Sequence, residues 1–171
     1  DSDRVDQMSN LMGLIVSGED GVSIKQFKLL ESAIAKDVPV LCVGAGMDAL
    51  NQVFGGDIGN DDDAHGVYVE DGDRKSSYHR IYITPGSKLA SVVGSSGFVR
   101  VNSRHSRVIK EAQKSRFLMA AAYSLEDGVI EALESHDHHW VIGVQFSPEH
   151  RLEIPPHFER LFRTLVERSS Q

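Results

Sequence analysis

The sequence is short of cysteine, of positive charge and of long apolar runs, and each shortage removes a class of answers. A single cysteine, Cys42, in 171 residues permits no internal disulfide, which fits a reducing compartment and an expected cytoplasmic location. Lys and Arg number 18 against 25 Asp and Glu, a net charge of −7, and they form no long basic run, so nucleic acid is not an expected partner. No apolar stretch approaches the roughly 20 residues that cross a bilayer, no signal-peptide pattern opens the chain, and no membrane partner is expected. Repeats, low-complexity tracts and interdomain linkers are missing too. What is present is an ordinary soluble mix, 40% hydrophobic and 25% charged, in a length that supports one domain over residues 1–171 with a substantial core.

Patterning along the chain alternates strand with helix. Leu11 to Val16 is a short apolar run ending in the polar glycine loop Ser17-Gly18-Glu19-Asp20-Gly21. From Ser23 to Lys36, Ile24, Phe27, Leu30, Ala33 and Ile34 recur at helical spacing behind Ser23 as N-cap. Pro39 stops that helix, Val40 to Val43 is a buried strand, and Met47 to Phe54 is a short helix closed by Gly55-Gly56. Such alternation predicts parallel strands joined by crossovers. The middle differs. Asp57 to Ala64 and Asp71 to Ser77 are polar loops around strand-like Val67 to Val69 and Arg80 to Ile83, and Ser87 to Val93 is a helical turn. Further strands are expected at Phe98 to Val101, Phe117 to Tyr123, Val129 to Leu133 and Trp140 to Phe146, with Glu126-Asp127-Gly128 a hairpin turn. Phe158, Leu161, Phe162 and Leu165 form one face of a last helix.

Six ordered segments then resemble one family. They are Gly13 to Gly18; Val38 to Gly56, which contains a strand-to-helix elbow; Pro85-Gly86-Ser87-Lys88-Leu89; Val101-Asn102-Ser103-Arg104-His105-Ser106; Asp127-Gly128-Val129-Ile130-Glu131-Ala132; and Gly143-Val144-Gln145-Phe146-Ser147-Pro148-Glu149. Together they are similar to the class I glutamine amidotransferase superfamily, in its γ-glutamyl-γ-aminobutyrate hydrolase (peptidase C26) branch. The resemblance implies an α/β three-layer sandwich with a mostly parallel central sheet of flavodoxin-like type. Set against that family the chain begins late, at Asp1 without an initiator methionine, so the family's first strand and helix are expected to be lacking.

The resemblance also implies a Cys–His–Glu triad, and here two of its three positions have changed. The nucleophile position is Gly44, the histidine position is Ser147, and only Glu149 remains. Gly44 would adopt the strained elbow conformation at little cost while removing the sulfur on which a thioester would form. Ser147 offers a hydroxyl that does not accept a proton near neutral pH. Cys42, two residues earlier inside the apolar strand, is a core residue or a displaced nucleophile; His150 is a surface histidine or a displaced base. Gly18, Ala45, Gly46, Asp48, Asn102 and His105 are the expected substrate-binding positions, and Arg104 and Arg107 stand beside them as candidate carboxylate partners.

Three other signals compete. Gly44-Ala45-Gly46-Met47-Asp48-Ala49 satisfies G-x-G-x-x-A after a strand, with Glu70 as a ribose-binding acid, a dinucleotide-binding alternative. His136-Asp137-His138-His139 and Asp61-Asp62-Asp63 with His65 are polar loops or metal ligands; neighbours in extended chain face opposite ways, so no metal site is expected there. Tyr123 and Trp140 are expected in strands and core. No cofactor is expected. The leading functional expectation is a degenerate hydrolase that binds a γ-glutamyl or other carboxylate small molecule, or a protein partner or second copy. An active γ-glutamyl hydrolase with a non-standard nucleophile is the rival.

Overall fold

The computed structural model describes residues 10–18 and 20–171. The polar start at Asp1 and Glu19 of the glycine loop lie outside them. Strand β1 (Leu14–Gly18) leads to helix α1 (Ile24–Ala35), strand β2 (Val40–Gly44) and helix α2 (Ala45–Val53). Short pieces follow: β3 (Asn60–Asp61), a 3-10 turn (Asp63–His65), and the hairpin β4 (Tyr68–Glu70) and β5 (Asp73–Lys75). Then come β6 (Ser77–Ile83), helix α3 (Lys88–Val93), β7 (Gly97–Ser103), β8 (Arg107–Val108), β9 (Met119–Ser124), β10 (Ile130–Glu134) and β11 (Val141–Val144). A 3-10 turn (Pro156–Glu159) runs into helix α4 (Arg160–Arg168).

Among the described residues seven strands form the central sheet, in the order β1-β2-β11-β10-β9-β6-β7. The α/β class is as the sequence implies, but the sheet is mixed rather than mostly parallel. Among the described residues only the β1–β2 and β2–β11 pairings are parallel; the other four are antiparallel. For two of these, β9–β10 and β10–β11, the reason is connection length. Residues 125–129 and 135–140 join β9 to β10 and β10 to β11, and a parallel crossover needs about a dozen residues or more. Two pieces that the sequence pattern had merged into loops also pair. Asp73 to Lys75 forms β5 against β4, and β3 pairs with β8.

Two apolar layers sandwich the sheet. On one face Leu30, Ala33, Met47 and Leu50 of α1 and α2 pack on Val16, Val40, Cys42 and Leu133. On the other, Leu89, Val93, Phe158, Leu161 and Leu165 pack on Leu41, Val43, Ile81, Ala122 and Ile142. The rings of Phe146 and Phe158 meet edge-on at 5.0 Å. Local chemistry fixes the helix ends. Ser23 Oγ accepts from the Gln26 N–H at 3.2 Å, and Gln26 Oε1 accepts from the Ser23 N–H at 2.8 Å, a reciprocal capping box. No described helix is long and apolar enough to cross a membrane.

These contacts rank two substitutions. Ser23→Ala is expected to cost about 1 kcal/mol through the lost cap, and Phe158→Ala about 3–5 kcal/mol through the cavity it leaves. Urea unfolding of the two variants measures both, and comparable losses would contradict this account of the core.

Candidate active site

The site sits where the parallel strands end. β2 is buried along its whole length and stops at Gly44, whose backbone (φ 57°, ψ −124°) turns straight into α2 with Gly44 as N-cap. That is the sharp elbow the sequence implies, and residue 44 occupies its apex. Parallel register sets Gly18 opposite Gly44. A Cβ built on Gly44 would stand 2.6 Å from the Gly18 carbonyl oxygen. The positive φ strains any residue other than glycine, and a side chain at residue 44 would need the Gly18 carbonyl to shift. Gly46, one residue into α2, lies so close to β1 that a Cβ there would meet the Val16 carbonyl oxygen at 2.1 Å.

A cavity of about 120 Å³ opens at this elbow, lined by Ser17, Gly18, Val43, Gly44, Arg104, His105, Gln145, Ser147 and Glu149. It is smaller than the ~300–1,000 Å³ usual for pockets that enclose a drug-sized ligand. Of the positions expected from sequence, Gly18, Gly44, His105, Ser147 and Glu149 gather here. Ala45 and Asp48 line a second cavity of about 290 Å³ with Asp20, Gln52, Ile58 and Arg107. There Asp48 accepts from the Gly59 N–H at 3.0 Å and lies 3.5 Å from the Arg107 guanidinium. Asn102 and Gly46 line neither cavity.

Asn102 is fully buried and grips the main chain of Ser147 from both sides. Its Oδ1 accepts the Ser147 N–H at 2.9 Å, and its Nδ2 donates to the Ser147 carbonyl at 3.1 Å. Nδ2 also donates to Glu153 at 2.9 Å. Glu153 in turn accepts from Ser76 Oγ at 2.6 Å, and Arg104 donates to that same hydroxyl at 2.9 Å. Burial would raise the Glu153 carboxyl, but these two donors outweigh it and hold it below the ordinary value.

The displaced candidates are placed elsewhere. Cys42 belongs to the layer under α1 and α2, and burial pushes its thiol far above the ordinary range. The His150 N–H donates to the Ser147 carbonyl, and the ring does not line the cavity. Glu70 is exposed on the β4–β5 hairpin outside the main sheet, so the dinucleotide alternative loses its acid. His136 is exposed, His138 accepts from or donates to Ser135 Oγ at 2.7 Å, and the loop brings no shared ligand point together. Asp61 lies near Arg107, Asp62 caps Ala64, and the buried His65 lies with Asp62 and Asp127 in a group whose ligand atoms come within 4.8 Å of one another. Tyr123 lies in β9, with its hydroxyl donating to Glu111 at 2.7 Å, and Trp140 is buried.

Sequence reasoning missed one constellation. Glu131 in β10 is fully buried, and His79 Nε2, His65 Nδ1 and His105 Nε2 lie 3.0, 3.7 and 3.7 Å from its Oε1. On its far side His65 Nε2 meets Asp127 at 2.7 Å. Burial alone would raise the Glu131 carboxyl, yet the imidazoles, His79 foremost, hold it below the ordinary value; Glu131 in turn lifts His79 against burial. The same balance at Asp127, with donors from His65, Ser124 and the Val129 N–H, brings its carboxyl down to about 2. A signal was available in the pattern: a carboxylate stands within the apolar run Val129 to Leu133.

The elbow and the sheet around it have counterparts in known proteins. Residues 6–149 match the Peptidase C26 family. The chain belongs to that family. Its relatives include a Schizosaccharomyces pombe protein named as a candidate glutamine amidotransferase, 31% identical over 84% of this chain and 56% of its own length. A glutamine amidotransferase-like protein of Rickettsia prowazekii is 25% identical over 91% of this chain and 68% of its own length. The chain thus spans little more than half of the first of these relatives. Solved structures share the fold. A protein from Thermoplasma acidophilum, named as a candidate GMP synthase component, superposes with a TM-score of 0.67 at 16% identity, over 96% of this chain and 76% of its own. The glutaminase domain of Trypanosoma brucei CTPS with bound acivicin gives 0.65 at 18%, over 95% and 75%.

Two expectations test the site. Gly44→Ala is expected to lose about 1–3 kcal/mol from the backbone conformation alone, with the Gly18 contact adding to it; a neutral variant in urea unfolding would mean the elbow relaxes freely. Asp127, whose carboxyl is depressed on folding, contributes stability that is complete above about pH 4 and is lost as pH falls towards about 2. Asp127→Asn is therefore expected to flatten the acid limb of a stability–pH curve and to leave its slope above pH 6 unchanged.

Proposed function

We propose that this chain is a catalytically degenerate glutamine amidotransferase-like protein, which holds a γ-glutamyl compound or related small carboxylate at the elbow cavity without cleaving it. The observation that carries this reading is the Gly18 carbonyl lying where a side chain at residue 44 would begin. A catalytic thiol needs both a Cβ and a base, and neither is provided for. Ser147 stands at the base position. His105, the one imidazole lining the cavity, has Nδ1 at 2.8 Å from the Arg107 carbonyl and Nε2 turned to Glu131. What favours binding is the charge pattern. Arg104 lines the cavity, and the first turn of α2 presents N–H groups at its elbow, both complementary to a carboxylate, with Glu149 the acid on the same lining. The rival reading, an active γ-glutamyl hydrolase with another nucleophile, has Cys42 as its natural agent, and that thiol faces the opposite layer of the core.

A protein partner or second copy is a further reading, favoured by one surface. β1 is an edge of the sheet among the described residues, and Met12, Ile15 and Val166 are exposed beside it around a groove of about 570 Å³. A solution mass of one chain at micromolar concentration would sink the second copy as the occupant.

The main proposal is tested by incubating the purified protein with L-glutamine and γ-glutamyl amides while ammonia release and thermal unfolding are followed. The expected result is no ammonia, together with a Tm rise of about 5–10 °C at a hundredfold excess over Kd. Arg104→Gln is expected to remove that rise. Gly44→Cys combined with Ser147→His is expected to give no turnover, since the new Cβ has no room. Ammonia release by the unaltered protein, lost in Cys42→Ala, would overturn the proposal in favour of the rival.

A further inference from the structure

The buried Glu131 cluster carries a second inference, independent of the elbow cavity. In each of two rings around Glu131, one nitrogen is already committed to an acceptor that has no hydrogen to give. His105 Nδ1 lies 2.8 Å from the Arg107 carbonyl oxygen, and His65 Nε2 lies 2.7 Å from the Asp127 carboxylate. Those nitrogens must carry the ring hydrogens, so the neutral rings turn bare lone pairs towards Glu131. Ser103 gives His65 Nδ1 no relief, because its hydroxyl donates to the His65 carbonyl at 2.7 Å. His79 Nε2 comes within 3.0 Å of Glu131 Oε1, but off the hydrogen-bonding direction. Both Glu131 oxygens, His79 Nε2 and His105 Nε2 are buried without a hydrogen-bond partner.

Lone pairs and a carboxylate converging in a dry interior repel one another unless something positive stands between them. Protonating all three rings would place three positive charges in that interior, and a protonated His79 alone would leave the His65 and His105 lone pairs facing Glu131. A single divalent cation balances Glu131 and Asp127 with no ring protonated.

We propose that His65 Nδ1, His79 Nε2 and Glu131 Oε1 form a binding site for a zinc-like divalent cation, with His105 Nε2 facing the same point. The three ligand atoms lie within 4.8 Å of one another, and all three residues are buried. Ligand atoms around a tetrahedral ion stand about 3.3 Å apart, and the 3.0 and 3.7 Å spacings about Glu131 bracket that value. Two imidazoles and a carboxylate suit zinc and its nitrogen-seeking neighbours rather than calcium or magnesium. The outer contacts are those that metal-bound histidines use: a carboxylate on His65 and a backbone carbonyl on His105. His105 also lines the elbow cavity, which gives the cluster a route to solvent. A second grouping, Asp62, His65 and Asp127, lies closer to the surface, but there Asp62 already caps Ala64 and Asp127 accepts from Val129.

The test uses the full chain, stripped of metal with a chelator, dialysed and titrated with Zn²⁺ by calorimetry, with Co²⁺ as a visible-absorption reporter of coordination. One saturable equivalent is expected, with a rise in Tm and cobalt bands in the visible. His79→Asn and Glu131→Gln are each expected to abolish that uptake. Asp127→Asn, in the outer contacts and partly exposed, is expected to weaken it about tenfold to a hundredfold and keeps the test decisive if a core variant fails to fold. His136→Ala with His139→Ala is expected to leave it unchanged. No saturable uptake by the folded protein, uptake indifferent to His79→Asn or Asp127→Asn, or uptake lost with the surface pair would each overturn the proposal and leave Glu131 as a buried ion pair with a protonated His79.

Discussion

The parallel pairing of β1 with β2 is the constraint on which the site depends. Its register places Gly18 beside Gly44 at the same end of the sheet, so the loop after β1 and the elbow after β2 must share one small volume. β11, parallel to β2 on its other side, brings Ser147 to the same end. Backbone hydrogen bonding, not the side chains of the cavity, thus decides what meets what. Once the three strand ends converge, the residue at the elbow is limited by how near the neighbouring carbonyl comes, and here the approach admits only hydrogen.

Much of this was legible in the residues. Apolar runs marked β2, β10 and β11, helical spacing with a serine cap marked α1, and the paired glycines marked the end of α2. Periodicity failed where short polar strands paired with each other. Asp73 to Lys75 has neither apolar alternation nor β-branched residues, and it is a strand only because a tight turn folds it onto β4. The excess of antiparallel pairings was hidden for a related reason: a resemblance built on motifs reports the elements near the site, while sheet direction follows from loop lengths between them. At the site, Gly44, Ser147 and Glu149 stood in the sequence, but the approach of the Gly18 carbonyl to Gly44 is a distance between backbones and leaves no compositional trace.

The Glu131 cluster shows a different limit. In the structure His79 alternates with Ile81 and Ile83 on the buried face of β6, one residue before the strand expected from Arg80. His65 lay beside an acidic stretch read as a polar loop, and His105 was expected at the substrate pocket rather than beside a buried carboxylate. Only the folded chain brings three imidazoles from three separate segments onto one carboxylate. Buried polar groups of this kind are costly to assemble and hard to infer, because each partner looks ordinary until the others are in place.

Asn102 has a consequence for how the chain tolerates change. By accepting from the N–H and donating to the carbonyl of residue 147, its amide acts like a short rung of sheet laid against a turn. A grip of that type is blind to whatever hangs from the α-carbon. Imidazole, hydroxyl or any other group of fitting size can be exchanged at position 147 while the polypeptide keeps its course, so chemistry there is separable from architecture.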